Sequence, residues 1–196
     1  MTNYVLINPL LRTYDAEHLV LLIKKARGPR CVVGRLNLLG GHVETGEDPA
    51  DAAIRELKEE SLIIGSSPKL MGQIQIDQDT IYCYNCNIEA GCHPILDNFE
   101  AMNEDKEEPV EWVSLDLALQ DPLLMDNLRL VLPLMTLGVS GWSLREPDYG
   151  KSYLIELEGQ VKDSNNLSSN AAQELRQWQM DLFEEHMARV MRVEET

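Results

Sequence analysis

The segment DPADAAIRELKEESLI, residues 48–63, constrains the chain more tightly than any other stretch. Asp48 is a good helix N-cap, Pro49 suits the first helical position, and Ala52, Ala53, Ile54 and Leu57 supply one apolar side. A helix is therefore predicted here. On it Glu56, Glu59 and Glu60 are related as i, i+3 and i+4 and share one face. Each like-charge pair at such spacing costs an isolated helix roughly 0.2–0.5 kcal/mol. Arg55 reaches Glu59 one turn on, while Lys58 projects elsewhere. A solvated acidic face is the plain reading of any charge run, but these three acids are not interleaved with bases on their own face. A hard divalent cation resolves the repulsion, because Mg²⁺ takes carboxylate oxygens in octahedral geometry and keeps sites for water and phosphate.

Charge decides what such an ion would serve. Thirty-three acids against seventeen bases leave a formal charge of −16 over 196 residues, a length that suits one domain with an appended element. That charge repels polyanions at long range and disfavours extended nucleic acid as a partner. An anionic small molecule is still accommodated where divalent cations reverse the local sign. No apolar run reaches the length of a membrane span, and MTNYVLINPLLRTYD lacks the basic start and long apolar core of a signal peptide. A cytoplasmic protein is expected. The pair Cys83 and Cys86 in CYNC, with Cys92 before a histidine, faintly resembles a zinc pattern. However, TIYCYNCNIEA reads as a strand, on which Cys83 and Cys86 point to opposite faces. Reduced thiols in and around a sheet are the expectation for these and for Cys31.

Along the chain, YVLINPLL and HLVLLIKKA read as strands separated by a polar turn, and CVVGRLNLL reads as a third extended segment ending at Gly40-Gly41. KLMGQIQIDQDTIYCYNCNIEA reads as a hairpin turning at DQDT. An acidic loop, EAMNEDKEEP, precedes a short strand, VEWVSLD, that runs into a helix start. DPLLMDNLRLVLPLMTLG has helical spacing with a bend or break near Pro133. GWSL and KSYLIELEG close as strands. Residues 1–159 are read as the domain, 160–170 as a linker rich in Ser and Asn, and 171–193 as an amphipathic C-terminal helix. That helix carries Leu175, Trp178 and Leu182 on one side and Phe183 on another, for packing on the domain or for a homodimer. Strands around one early helix, with further helix late, fit an α+β or α/β/α sandwich and not a regular βαβ repeat.

Reading from Gly41, five residues precede Glu47 and seven more precede RELKEE at 55–60. This resembles the signature of the Nudix hydrolases, with matches at Gly41, Glu47, Arg55, Glu56, Leu57, Glu59, Glu60 and Ile63. The signature covers 23 residues, Gly41–Ile63. Two positions depart from it. Leu62 stands where the family has a glycine that ends the helix, so the helix end is expected to be shifted by about a turn, towards Gly65, or locally strained. LNLLGG also replaces the Trp and Pro that many relatives carry before the glycine pair. The resemblance implies an α/β/α sandwich with a mixed central sheet and metal-dependent hydrolysis of a nucleoside diphosphate linked to another group. It implies Glu56 and Glu60 as principal Mg²⁺ or Mn²⁺ ligands, Glu59 as ligand or base, and the Gly40 carbonyl as a further ligand. Arg55 and Glu47 would orient the carboxylates, with Glu44 facing the same loop. Relatives often take another carboxylate from a distal loop, a place that Glu107 or Glu108 fits, although a solvated acidic loop is the equal alternative.

The substrate depends on residues outside the signature. GRLNLLGGHVETGE is similar to the corresponding stretch in hydrolases of oxidised purine nucleoside triphosphates, which implies a base contact for Asn37 and a base-reading place for Asp126. The alternatives are strand-end hydrogen bonding for Asn37 and a helix cap for Asp126. The first expectation is a nucleoside triphosphate pyrophosphatase. The runner-up is hydrolysis of ADP-ribose, a dinucleoside polyphosphate or another dinucleotide. Removal of RNA 5′ ends and a non-catalytic nucleotide-binding module follow, the latter opposed by the three retained carboxylates.

Overall fold

A computed structural model describes residues 2–10, 19–88, 107–136, 138–146 and 154–157. The predicted linker at 160–170, the helix at 171–193 and Cys92 lie outside the described residues. The elements run β1 (Asn3–Leu10), β2 (Leu19–Lys24), β3 (Leu36–Leu38), α1 (Pro49–Ser61), β4 (Gly65–Ile76) and β5 (Asp79–Ile88). They continue with β6 (Val110–Ser114), α2 (Leu115–Gln120), α3 (Asp126–Thr136), β7 (Trp142–Glu146) and β8 (Leu154–Leu157).

The strands form two sheets. One is mixed, in the order β1-β5-β4-β7-β8, with β1–β5 and β4–β7 parallel and the other two pairings antiparallel. The second is antiparallel, in the order β3-β2-β6. The continuous apolar runs of β1 and β2 explain the sandwich, since such strands need cover on both faces. On β1, Val5 and Ile7 enter one apolar cluster and Leu6 the other; on β2, Leu21 and Ile23 oppose Val20 and Leu22 in the same way. Ala52, Ala53 and Leu57 of α1 close the first cluster, and α2 and α3 close the second. The result is an α/β/α arrangement with a mixed sheet at its centre.

Several local expectations are met for the reasons that predicted them. Asp48 caps α1, accepting from Ala50 N at 2.8 Å, and Ser114 caps α2. The β4–β5 hairpin turns at Asp77, which has φ +50°. Cys83 and Cys86, both fully buried, enter opposite clusters.

One expectation needs correction, and two that were left as alternatives are narrowed. The third extended segment is confined to Leu36–Leu38, because Val32 N and Val33 N both bond back to Pro29 O and turn the preceding residues. The late helix α3 is not broken at Pro133 but runs through it to Thr136. Pro133 lies near the helix end, where little ladder remains to be lost, and Asn85 Nδ2 donates to Met135 O at 2.7 Å. Finally, α1 does not extend towards Gly65. It stops at Ser61, and Leu62 takes the left-handed cap itself with φ +62°, donating its N–H to Lys58 O at 2.8 Å. Strain, not displacement, absorbs the missing glycine.

Candidate active site

The site forms where α1 crosses the turn at Gly40-Gly41. Backbone bonds Val5 N to Gly41 O and Ile7 N to Leu39 O, each 2.9 Å, lash this turn to β1. Gly40 is sterically required, and Gly41 lets the Glu56 carboxylate lie against the backbone. A Cβ on Gly40 would lie 1.9 Å from Val5 O, and one on Gly41 would lie 2.4–2.6 Å from the carboxylate of Glu56. The Glu56 head group thus rests directly on the Gly41 backbone, so the altered residues before the glycine pair leave the close approach intact.

Arg55 organises one half of the site. Its Nε and Nη2 grip Glu47 Oε1 and Oε2 at 2.8 and 2.9 Å, the parallel fork that suits guanidinium and carboxylate. Its Nη1 reaches Glu56 Oε1 at 2.8 Å and Glu59 Oε2 at 3.3 Å, and Nη2 also donates to His42 O. Glu47 is held further by Glu44 N at 2.9 Å. The bond from Arg55, followed by that backbone N–H, brings the Glu47 carboxyl down to about 2, and the bonds to Glu47 and then Glu56 push the guanidinium up.

Glu60 organises the other half. Oε2 accepts from Gly40 N at 2.7 Å, and Oε1 accepts from Lys25 Nζ at 2.8 Å. Lys25 Nζ also reaches Glu108 Oε2 at 3.2 Å, while Glu108 Oε1 accepts from Ala26 N and Arg27 N at 2.8 and 3.1 Å. Burial pushes the Glu60 carboxyl above its ordinary value and nearby Glu56 adds to this, outweighing Lys25 and Gly40 N–H. Glu108 is also penalised by burial, but two backbone N–H groups and Lys25 bring it below the ordinary range. Burial works against the Lys25 ammonium, and its two carboxylate partners more than offset it. The two carboxylates differ in direction because Glu60 is the more deeply placed and has a like charge beside it.

Glu59, Glu60, Glu107, Glu108, Arg27 and Ile23 line an open cleft of about 320 Å³. Glu107 pairs with Arg27, both exposed. Among the described residues no three acidic, histidine or cysteine side chains converge as a ready-made metal cage. Arg55 and Lys25 stand among the carboxylates instead. The donor set itself still fits a hard divalent ion: carboxylate oxygens of Glu56 and Glu60, on one helical face, against a backbone turn without side chains.

The structure thus brings together Gly40, Gly41, Glu47, Arg55, Glu56, Glu59, Glu60 and Glu108. Gly40 meets Glu60 through its N–H, which leaves the expected role of its carbonyl as a metal ligand a separate matter. Asn37 and Asp126 are engaged within the protein. Asn37 Oδ1 accepts from Leu38 N at 2.9 Å, and Asp126 pairs with Arg35 at 3.0 Å. The residue that sequence reading missed is Lys25. Strand parity carried the signal, since Leu21, Ile23 and Lys25 share one face of the β2 line, the face covered by α1.

The fold is that of Nudix hydrolases. The Mutator MutT protein from Bacillus halodurans superposes with a TM-score of 0.58 at 18% identity, over 81% of this chain and 100% of that one. A Nudix hydrolase from Nitrosomonas europaea gives 0.50 at 17%, over 74% and 79%. No curated protein matches the sequence significantly. The NUDIX domain model matches residues 9–134, and the chain belongs to the Nudix family. It is accordingly a hydrolase of pyrophosphate bonds, in a family that acts on small nucleotide substrates and generally needs divalent metal ions.

Proposed function

We propose that the protein is a Mg²⁺- or Mn²⁺-dependent pyrophosphohydrolase that converts a nucleoside triphosphate to the monophosphate and pyrophosphate, with oxidised purine nucleotides the first substrates to try. The supporting observation is the pair Glu56 and Glu60, held on one face of α1 against Gly40-Gly41 at the mouth of an acidic cleft. Unaided, that cleft repels a diphosphate. Bound divalent ions supply the positive charge that neutralises the anion and stabilises the leaving phosphate.

The chain's own residues do the rest. Glu56 and Glu60 hold the metal, and Arg55, itself fastened by Glu47, keeps Glu56 and Glu59 aimed into the site. Glu59, whose side chain is 59% exposed, is the group best placed to accept a proton from the attacking water. The new P–O bond forms to that water's oxygen as the bond to the bridging oxygen breaks, and pyrophosphate leaves. Glu108 keeps the loop after β2 in place through Ala26 and Arg27.

The internal engagement of Asn37 and Asp126 favours a second reading, hydrolysis of ADP-ribose or another dinucleotide, in which neither residue reads a base. A panel of diphosphate compounds with Mg²⁺ or Mn²⁺, with products separated chromatographically, distinguishes the two. Monophosphate plus pyrophosphate supports the first reading, and AMP plus ribose phosphate supports the second. Glu60→Gln should abolish turnover in both. Turnover surviving in that variant at near the wild-type rate would refute the metal-ligand role.

A further inference from the structure

Lys25 reaches into the assembled site between two carboxylates. Its Nζ is 2.8 Å from Glu60 Oε1, and its side chain is only 16% exposed. The position is imposed from several sides. Lys25 N donates to Arg35 O at 3.0 Å, and Gly34 N donates to Lys25 O at 2.7 Å. Glu108 fastens the next two backbone N–H groups with one oxygen and touches the ammonium with the other. A surface lysine meeting one carboxylate by chance lacks such support. Both Glu60 oxygens accept a hydrogen bond, one from Lys25 and one from Gly40 N–H. A carboxylate oxygen has two lone pairs, but a divalent ion on Oε1 would bring two positive charges close to the Lys25 ammonium, and the like charges repel, so the two cations compete for that oxygen.

We propose that Lys25 is an internal counter-cation for Glu60, held in place by Glu108, and that a divalent metal binds by displacing its ammonium from Glu60 Oε1. Lys25 is thus a positioning residue that keeps the buried carboxylate compensated while no metal is present and competes with the metal for it. The inference rests on Glu60 being a metal ligand. Competition lowers metal affinity by the free energy of the displaced pair, since binding shifts an equilibrium only by differential affinity.

The test is Mn²⁺ affinity of the full chain, read from the electron paramagnetic resonance signal of free Mn²⁺. Lys25→Met should bind Mn²⁺ at least about fivefold more tightly than wild type, and Lys25→Arg, which keeps the cation, should stay close to wild type. A lysine that merely braced the loop would give the opposite sign, because its loss would misplace Glu60 and weaken binding. Should Lys25→Met fail to fold, the native protein still decides. Reductive methylation mapped by mass spectrometry should quicken several-fold at Lys25 when Mg²⁺ is added, with the exposed Lys69 as an unchanged control. Equal or weaker Mn²⁺ binding by Lys25→Met, or methylation of Lys25 indifferent to Mg²⁺, overturns the inference while the metal reading of Glu60 stands. Absence of Mn²⁺ binding in every form overturns both.

Discussion

Arg55 has five N–H groups and five acceptors around it, on Glu47, Glu56, Glu59 and His42. A lysine could not reproduce this, because an ammonium lacks the planar fork that grips Glu47 with two parallel bonds. The Arg55–Glu47 pairing has a consequence for acid stability. The Glu47 carboxyl is lowered from 4.5 to about 2 in the folded protein, so its ionised form stabilises the fold. That contribution is complete above the unfolded value of about 4.5 and is lost as the pH falls from there towards 2. Replacing Glu47 by Gln should therefore lower the urea midpoint at pH 7, with the difference from wild type shrinking as the pH drops below about 4.5. A difference that stayed constant down to pH 2.5 would contradict the assignment.

At the scale of elements, the end of α1 is the clearest local conflict. Leu62 holds a left-handed conformation at φ +62° and is 49% exposed, so its side chain gains little from burial in return. Leu62→Gly should stabilise the protein by about 1 kcal/mol, the relief of the left-handed penalty less the added freedom of the unfolded chain. For a chain of this size, that corresponds to a melting temperature roughly 2–4 °C higher. A melting temperature that fell would show that Leu62 makes contacts of greater worth. Strand β5 poses a different case, since it sends Cys83 into one core and Cys86 into the other. Burial pushes the Cys86 thiol up to about 12 and that of Cys83 higher still. Because the thiolate is the nucleophile, iodoacetamide at pH 8 should modify exposed Cys31 and spare both strand cysteines until the protein unfolds. Modification of Cys83 in the folded protein, mapped by mass spectrometry, would place β5 elsewhere.

For the whole molecule, the formal charge of −16 sets the terms on which any phosphate compound approaches. Divalent cations should therefore act by specific binding as well as by screening. Mg²⁺ at a hundred times its dissociation constant stabilises a single-site protein by about 2.7 kcal/mol. Wild type should melt higher in Mg²⁺ than in Na⁺ at equal ionic strength, and the double variant Glu56→Gln/Glu60→Gln should lose that difference. Equal gains in both proteins would reduce the effect of Mg²⁺ to screening. Among the described residues, no helix is long and apolar enough to cross a membrane.

Helix α1, its cap at Asp48 and the alignment of Glu56, Glu59 and Glu60 were legible in the chain, because they depend on contacts within a few residues. The opposite faces of Cys83 and Cys86 were legible for the same reason, strand parity being a local rule. Tertiary structure alone decided which distant groups meet those carboxylates. Lys25 lies 35 positions from Glu60, and Glu108 lies 83 from Lys25. Nothing in local spacing distinguishes a lysine that ends in solvent from one held between two carboxylates, since that depends on how β2, α1 and the chain before β6 pack. Gly40-Gly41 stands between the two cases: the sequence marks the turn, but only the packed fold puts Val5 O and the Glu56 carboxylate where a side chain would be.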